Sequence, residues 1–241
     1  MDKIRDILMK YGRQDERNFF FFIISNLNWA RYENQIELLT RYIPKNAKVL
    51  ELGCGLGHTA AMLALRRPDL KIIATDVEEA VTWSYLREFG CVFRKCDATD
   101  IFFNPEEFDA VFSFGVIEHT QDDTRFLREV SRCLKKGGCN IVFNLPNRYS
   151  MPEFVAEKFK VVCHKRKYLK KEIINLFKEN GFQISYIIRE HFVPAQIDRI
   201  SENLGGIFNR AYKQLLVLDS IICKTPLVLF CQDFSLISQK L

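Results

Sequence analysis

The chain has 241 residues, of which 48% are apolar, and a formal net charge of +5. A chain of this length and apolar content can fill a continuous core, which excludes an intrinsically disordered protein. The chain is only mildly basic, whereas a typical nucleic-acid-binding domain is more basic and has its positive charge concentrated on one face. Charge alone therefore does not indicate an RNA or DNA partner.

The eight cysteines are scattered and include no C-x-x-C pair. This spacing matches neither a zinc site nor the disulfide framework of a secreted protein. The charged segment Met1 to Asp6 lacks the apolar core of a signal peptide, and Asp219 and Lys224 interrupt the most apolar stretch, residues 215 to 230. We expect reduced thiols, a cytoplasmic location and no transmembrane segment.

Two helices are predicted before Pro44, and strands alternate with helices after it. The predicted strands are 48–52, 71–75, 91–95, 108–114, 140–144, 182–188 and 227–232. The predicted helices after Pro44 are 58–65, 78–89, 124–134, 169–179 and 207–222, the last of them in the core, with 145–168 irregular. This alternation predicts an α/β protein with a doubly wound parallel sheet.

No repeat or low-complexity linker divides the sequence, so we expect one domain over residues 1–241. Within it, residues 1–44 are expected to form a helical cap and 45–144 the ligand-binding core. Residues 145–241 are expected to supply an acceptor loop and the closing helices and strands.

A glycine-rich loop, Gly53-Cys54-Gly55-Leu56-Gly57, follows the first strand and precedes a helix. Missing side chains and free helix N–H groups let a ligand lie against the backbone there. Residues 55–60 also fit the G-x-G-x-x-A pattern of dinucleotide binders, which makes an NAD-dependent oxidoreductase one interpretation. The carboxylate of Glu51, just ahead of the loop, instead favours a cationic ligand over a pyrophosphate.

Residues 49–57 resemble motif I of the class I S-adenosylmethionine-dependent methyltransferases. Later segments agree in order and spacing, namely Asp76, Asp97-Ala98, residues 108–119 and residues 127–144. The resemblance is to the broad metabolic branch, types 11 and 12, which includes ubiquinone-pathway methyltransferases. It implies a Rossmann-like, mostly parallel seven-stranded sheet with an antiparallel last strand and N-terminal helices. It also implies S-adenosylmethionine as cofactor and S-adenosylhomocysteine as product.

The same resemblance implies a role for individual residues. Asp76 would accept hydrogen bonds from both ribose hydroxyls, and Asp97 and Ala98 would meet the adenine. The full set of predicted cofactor-binding residues is Glu51, Gly53, Gly55, Gly57, Asp76, Val77, Asp97, Ala98, Ser113 and Phe114. The alternatives are tight turns for the glycines and helix caps for the two aspartates. Their joint position at successive strand ends favours a ligand site.

His119, just beyond the fourth strand, is the candidate catalytic residue. Methyl transfer needs in-line approach of a nucleophile, and a base only when the acceptor is protonated; an imidazole titrates near neutrality. A capping or packing role is the alternative. Residues 115–119 are similar to the E-x-x-E-H stretch that binds a divalent metal in some relatives. Because Gly115 replaces the first glutamate, we predict no metal.

Arg148 and Tyr149 follow the fifth strand, where acceptor loops occur in this family, and are predicted to bind the acceptor. Trp29, Arg31 and Tyr32 are weaker candidates. The run from His164 to Lys171 packs five Lys or Arg into eight residues. A solvated surface is the simpler interpretation, and contact with an anionic acceptor, a phosphate or a membrane headgroup is the alternative.

The first functional hypothesis is methyl transfer to a small-molecule or lipid-type acceptor. The second keeps the fold and makes the acceptor RNA or protein; the basic run supports it, and the missing N-P-P-Y-type tetrapeptide at residues 113–116 counts against it. An NAD-dependent oxidoreductase is opposed by Glu51 and Asp97-Ala98. A non-catalytic S-adenosylmethionine-binding protein is the fourth hypothesis.

Overall fold

The computed structural model describes residues 1–12, 23–159, 164, 166–194 and 202–241, with side chains described from residue 206 in the last range. The helices are α1 (Asp2–Tyr11), α2 (Asn26–Tyr42), α3 (His58–Arg66), α4 (Thr82–Leu86), α5 (Asp123–Cys133), α6 (Met151–Lys158), α7 (Lys170–Glu179), α8 (Glu202–Arg210) and α9 (Tyr212–Ile222). The strands are β1 (Lys48–Leu52), β2 (Lys71–Asp76), β3 (Val92–Lys95), β4 (Phe108–Phe114), β5 (Leu134–Pro146), β6 (Phe182–Glu190) and β7 (Asp233–Lys240).

The seven strands form one sheet in the order β3-β2-β1-β4-β5-β7-β6. Strands β1 to β5 pair in parallel, whereas β7 lies antiparallel between β5 and β6. This arrangement confirms the predicted doubly wound, mostly parallel sheet with an antiparallel last strand and N-terminal helices. The order reverses beside β1, and ligands of such sheets bind at the carboxyl ends of the strands at this switch point.

Helices cover both faces of the sheet. Side chains of a strand alternate between its two faces, so Phe112 of β4 packs in a cluster with α1, α2 and α3, while the neighbouring Val111 packs with α5 and α7. Phe126 of α5 and Phe177 of α7 are both fully buried in the second cluster. The two apolar layers hold the strand ends, and the loops that follow them, in fixed positions.

The segment 145–168 differs from the irregular chain predicted there, because it contains helix α6. The Ser150 hydroxyl accepts a hydrogen bond from the Glu153 N–H at 3.0 Å and so caps the helix. Pro152 lies in the first turn, where its missing N–H costs no helix bond. The helix predicted over 78–89 is also shorter, since α4 gives way to a 3₁₀ turn at Arg87–Phe89.

Three predictions for the C-terminal region are wrong. The single helix predicted over 207–222 is two helices, α8 and α9. The closing strand predicted over 227–232 is wrong, because Pro226–Phe230 is a 3₁₀ turn and β7 begins at Asp233. Helix α9 is not in the core, since its apolar side chains are largely exposed. Among the described helices, none is long and apolar enough to cross a bilayer.

Candidate active site

A cavity of about 960 Å³ opens at the carboxyl ends of β1, β2 and β4. Its walls come from the glycine loop, the strand ends, helix α2 and the turn after β4. The predicted site residues that line it are Gly53, Gly55, Asp76, Val77, Asp97, Ala98, Phe114 and His119. The structure therefore brings together most of the residues that the strand-end pattern singled out.

The glycine loop depends on backbone conformations that other residues rarely adopt. Gly55 has a φ of +51° and a Cβ built there would meet no atom within 4 Å, so its backbone is bare towards the cavity that it lines. Gly57 has a φ of +80° and precedes α3, but a Cβ there would lie 2.5 Å from the Phe93 ring. Gly57 thus packs against aromatic side chains and is not among the lining residues.

The two strand-end aspartates organise their own loops as well as facing the cavity. The Asp76 carboxylate accepts a hydrogen bond from the Gly55 N–H at 2.7 Å, which ties the end of β2 to the glycine loop. Asp97 accepts hydrogen bonds from the backbone and the hydroxyl of Thr99 at 2.7 and 2.8 Å. Because a carboxylate has about four acceptor positions, these local turn roles are compatible with a ligand role.

Glu51 lies behind the glycine loop and does not line the cavity. Its side chain is almost fully buried and hydrogen-bonds the Thr59 hydroxyl, while its Oε2 has no partner among the described residues. Burial raises the pKa of Glu51 to about 8, because a low-polarity environment disfavours the charged carboxylate. Ser113 is likewise buried beneath the site, and its hydroxyl has no hydrogen-bond partner in the described residues.

Helix α2 forms another part of the cavity wall and includes two of the weaker candidates, Arg31 and Tyr32. Tyr32 packs edge-on against the His58 ring, with 4.7 Å between ring centroids. Burial lowers the pKa of His58 to about 3, so its imidazole is neutral. Trp29, the third weak candidate, is buried and outside the lining.

A buried ion pair fixes this wall. Arg31 donates a hydrogen bond to Asp219 of α9 at 2.5 Å and another to the Val193 carbonyl at 2.7 Å. The Asp219 carboxylate also accepts the N–H groups of Phe192 and Val193. These contacts connect α2, α9 and the chain that follows β6.

His119 lies at the cavity wall next to a second imidazole and a buried carboxylate. Its Nε2 is 3.9 Å from Oε1 of Glu118, and the Nε2 of His164 is 3.8 Å from the same oxygen. Burial raises the pKa of Glu118 to about 8, and burial together with the charge of His164 lowers the pKa of His119. Burial is the largest single influence on the pKa of His164 and lowers it, but the hydrogen bond to Glu153 and the charges of the nearby carboxylates together raise the net pKa.

Arg148 and Tyr149, the predicted acceptor-binding residues, are not among the cavity lining. Arg148 pairs with Glu172 of α7 at 2.9 Å, and Tyr149 is largely exposed. The described part of the basic run is divided, since Lys170 and Lys171 are exposed whereas Arg166 and Lys167 are partly buried. Its Arg166 lies 3.6 Å from Asp123, and Lys167 pairs with Glu157. Lys165 lies outside the described residues.

Several lining residues carried no sequence signal for this site. They include Gln35, Asn144, His164, His191, Gln232 and Asp233. Gln35 donates a hydrogen bond to Asn144 at 2.8 Å, which joins α2 to the end of β5. Such contacts join residues about a hundred positions apart, so only the fold brings them together. His58 is the exception, since it immediately follows the glycine loop.

Residues 50–142 match the methyltransferase domain family. A probable S-adenosylmethionine-dependent methyltransferase of Mycolicibacterium smegmatis is 28% identical over 175 residues, 71% of this chain and 65% of that protein. A demethylmenaquinone methyltransferase of Thermotoga maritima is 29% identical over 63% of this chain and 76% of its own length. A crystal structure of a possible histamine N-methyltransferase of Thermotoga maritima shares the fold, with a TM-score of 0.61 and 20% identity over 98% of this chain and 99% of that one.

The parallel sheet, the glycine loop and the strand-end carboxylates define a cofactor-binding α/β enzyme. These features and the comparisons support a class I S-adenosylmethionine-dependent methyltransferase. S-adenosylmethionine is the cofactor of this family. The dinucleotide-binding interpretation is therefore superseded.

Proposed function

We propose that the protein transfers the methyl group of S-adenosylmethionine to a small-molecule or lipid-type acceptor bound in the same cavity. The observation that carries the proposal is the cavity itself. Its volume of about 960 Å³ lies at the upper end of small-ligand sites, and its walls include the glycine loop, the strand-end carboxylates, α2 and the turn that contains His119. This leaves room for a second ligand beside the cofactor.

The proposal assigns the cofactor to the predicted set Glu51, Gly53, Gly55, Gly57, Asp76, Val77, Asp97, Ala98, Ser113 and Phe114. Glu51, Gly57 and Ser113 act from behind the cavity as supports, and the others contact the ligand. His119 is the proposed general base for a protonated acceptor, since its imidazole lines the cavity and its lowered pKa keeps it neutral near pH 7.

On the acceptor side, the lining residues of α2 are better placed than the exposed loop. Tyr32 and Gln35 line the cavity, whereas Arg148 and Tyr149 do not. A role for Arg148 and Tyr149 stays a prediction that substitution to alanine would test through the acceptor KM. RNA is not favoured, because Arg166 and Lys167 of the basic run are engaged with carboxylates. A single domain and a cytoplasmic location complete the proposal.

Cofactor binding is tested by a thermal unfolding scan with S-adenosylmethionine, S-adenosylhomocysteine and NAD in separate samples. Ligand at 100 times its Kd stabilises the fold by about 2.7 kcal/mol, which for this length raises Tm by roughly 5–10 °C. We expect the shift with the two adenosyl-sulfur compounds alone. A shift with NAD alone would contradict the proposal.

Asp76→Asn sharpens this test, since the amide keeps an oxygen for the Gly55 N–H but loses the charged acceptor for ribose hydroxyls. We expect weaker S-adenosylmethionine binding by about tenfold or more, the size of one charge-assisted hydrogen bond. Tm without ligand should change little. Asp69→Asn, at a surface carboxylate paired with Arg67 away from the cavity, is the matched control and should bind normally. Unchanged affinity in Asp76→Asn would overturn the ribose assignment.

Methyl transfer itself is tested by incubating the protein with labelled S-adenosylmethionine and sets of phenols, amines and quinone-type lipids. Label should move to an organic-soluble or low-molecular-mass product, and His119→Asn should lower kcat while cofactor binding persists. Label recovered only in RNA or in protein would replace the small-molecule acceptor with a macromolecule.

A further inference from the structure

Residues 206–230 carry a concentration of exposed apolar side chains. They comprise the end of α8, helix α9 and the 3₁₀ turn Pro226–Phe230, and α9 contacts both of the others. Seven large apolar side chains of this segment are between 43% and 60% exposed and are named here the C-terminal apolar surface: Ile207, Val217, Leu218, Ile221, Leu227, Leu229 and Phe230. Single exposed apolar residues are common, but a cluster of them on neighbouring elements indicates an interaction site.

Helix α9 has one side towards the protein and the other towards solvent. Asp219 on the inner side is buried and pairs with Arg31 of α2, which lines the cavity. Val217 and Ile221 are each two positions from Asp219, which is about 200° around a helix, so they lie on the opposite side. Both are exposed. The buried ion pair therefore fixes the rotation of α9 with its apolar side outward.

The exposed charges of the segment are all positive. Arg210, Lys213 and Lys224 are exposed, whereas Asp219, the only carboxylate in residues 206–230, is buried in its ion pair. Lys213 precedes the apolar stripe of α9 by one helical turn, and Lys224 follows the end of the stripe. Because the long lysine side chains can reach along an apolar surface, their ammonium groups can extend to its edge. The surface thus combines apolar side chains with a cationic rim.

A lipid surface with anionic headgroups fits this combination better than a second copy of the chain or a nucleic acid does. A two-fold dimer would bring the same surface against itself and place like charges around the apolar contact. A nucleic acid would use the cations but leave the apolar side chains without a partner. A bilayer interface uses both, since apolar side chains enter the acyl boundary while cations meet the lipid phosphates.

We propose that the C-terminal apolar surface docks the protein on a membrane that contains anionic lipids. No spanning helix is needed, because an interfacial helix buries only its apolar side. Since Asp219 of α9 binds Arg31 at the cavity wall, docking brings that wall to within about one helix diameter of the lipid, roughly 10–12 Å. Lipid binding goes beyond the proposed methyl transfer and is measured without it.

Docking is tested by co-sedimentation of the full chain with vesicles of equimolar phosphatidylcholine and phosphatidylglycerol, and with vesicles of phosphatidylcholine alone. We expect saturable binding to the anionic vesicles that weakens as salt is raised. Val217→Ser combined with Ile221→Ser should weaken this binding by about tenfold or more, because two apolar side chains no longer enter the acyl boundary. The Tm of this variant should stay close to that of the wild type, since both side chains face solvent in the free protein.

Matched controls come from exposed residues outside the segment. Val81→Ser combined with Ile174→Ser replaces side chains that are 51% and 40% exposed, and it should bind vesicles normally. Lys213→Gln combined with Lys224→Gln should weaken binding to the anionic vesicles by about fivefold for each lysine. Lys136→Gln, at an exposed lysine of β5, should leave that binding unchanged.

Three outcomes would overturn the proposal: no binding to the anionic vesicles, equal binding to both vesicle compositions, or equal losses in the two serine double variants. Sedimentation velocity without lipid should show a monomer. A dimer that disappears in Val217→Ser combined with Ile221→Ser would assign the surface to a second copy of the chain instead. The Tm shift with S-adenosylmethionine should persist in every variant, so a failure of docking is distinguishable from a failure of the methyltransferase assignment.

Discussion

Gly55 and Asp76 show how the cofactor side of the cavity is set by single residues close to each other in the sheet. The backbone of Gly55 is left-handed and carries no side chain, and its N–H donates a hydrogen bond to the Asp76 carboxylate. Asp76 is the last residue of β2 and Gly55 lies in the loop that follows β1, so the position of both at the cavity was predictable from the strand pattern. Glu51 and Ser113 were also expected at the site, but each side chain points behind the lining, because neighbouring strand residues face opposite sides of the sheet.

Gly55→Ala should weaken cofactor binding more than it destabilises the fold. The left-handed backbone costs an L-residue about 1–2 kcal/mol, and the added methyl would occupy ligand space, since no protein atom lies near it. Denaturant unfolding and S-adenosylmethionine titration measure the two effects.

Gly90→Ala is the control, with a φ of +90° and equally open surroundings outside the cavity. It should lose similar stability and keep full affinity. Equal affinities in the two variants would show that the Gly55 backbone does not contact the cofactor.

The buried position of His164 could not be predicted from the sequence. It appears in a basic run, where surface exposure is the common outcome, yet it is largely buried beside Glu118 and Glu153. Only the return of the chain past the β4 turn creates that contact. No local spacing encodes it.

At the scale of helices and strands, β1, β2 and β4 were predicted closely because each is a short, mostly apolar run followed by a turn. Helix α6 was missed even though Ser150 and Glu153 form the S-x-x-E signature of a helix start. Strand β7 was misplaced because the apolar residues 227–230 look more strand-like than the serine-containing β7. Tertiary context overrides this preference, since β7 buries Ser235 and Ser238 between β5 and β6.

The buried ion pair between Arg31 of α2 and Asp219 should contribute strongly to the free energy of unfolding. Asp219→Ala would leave the Arg31 guanidinium buried without its carboxylate, and breaking such a pair costs about 3–5 kcal/mol. Both side chains are less than a tenth exposed. Denaturant unfolding should show this loss, together with weaker binding of any ligand that contacts α2.

The exposed pair Lys3–Glu88 provides the comparison, because its partners are 68% and 42% exposed. Glu88→Ala should change stability by less than about 1 kcal/mol. Losses of the same size in Asp219→Ala and Glu88→Ala would show that the α2 contact contributes no more than a surface pair.

At the scale of the whole molecule, stability should fall as pH rises from 6.5 to 8, in part through Glu51. The pKa of this carboxyl is about 8 in the folded protein against an ordinary 4.5. Between these values the folded state keeps a proton that the unfolded state has released, so a rise in pH favours unfolding. The slope from one such group is at most about 1.4 kcal/mol per pH unit.

Glu51→Gln removes this proton without changing the shape of the side chain. Denaturant unfolding at several pH values should show a shallower decline in the variant than in the wild type above pH 6.5. His58 titrates in the unfolded state, where its pKa is the ordinary 6.5 and not the value of about 3 that burial gives it in the fold, but its contribution is the same in both proteins and cancels in the comparison. If the free energy of unfolding falls with pH equally steeply in the variant and in the wild type, Glu51 is ionised in the folded protein.

The position of β7 between β5 and β6 has a consequence for the order of assembly. In the described sheet β6 hydrogen-bonds only to β7, so β6 can join the sheet only after a strand that the ribosome makes some forty residues later. The parallel strands that carry the glycine loop have no such dependence. The parallel strands β1 to β5 can therefore pair with one another before β6 and β7 are added to the edge of the sheet.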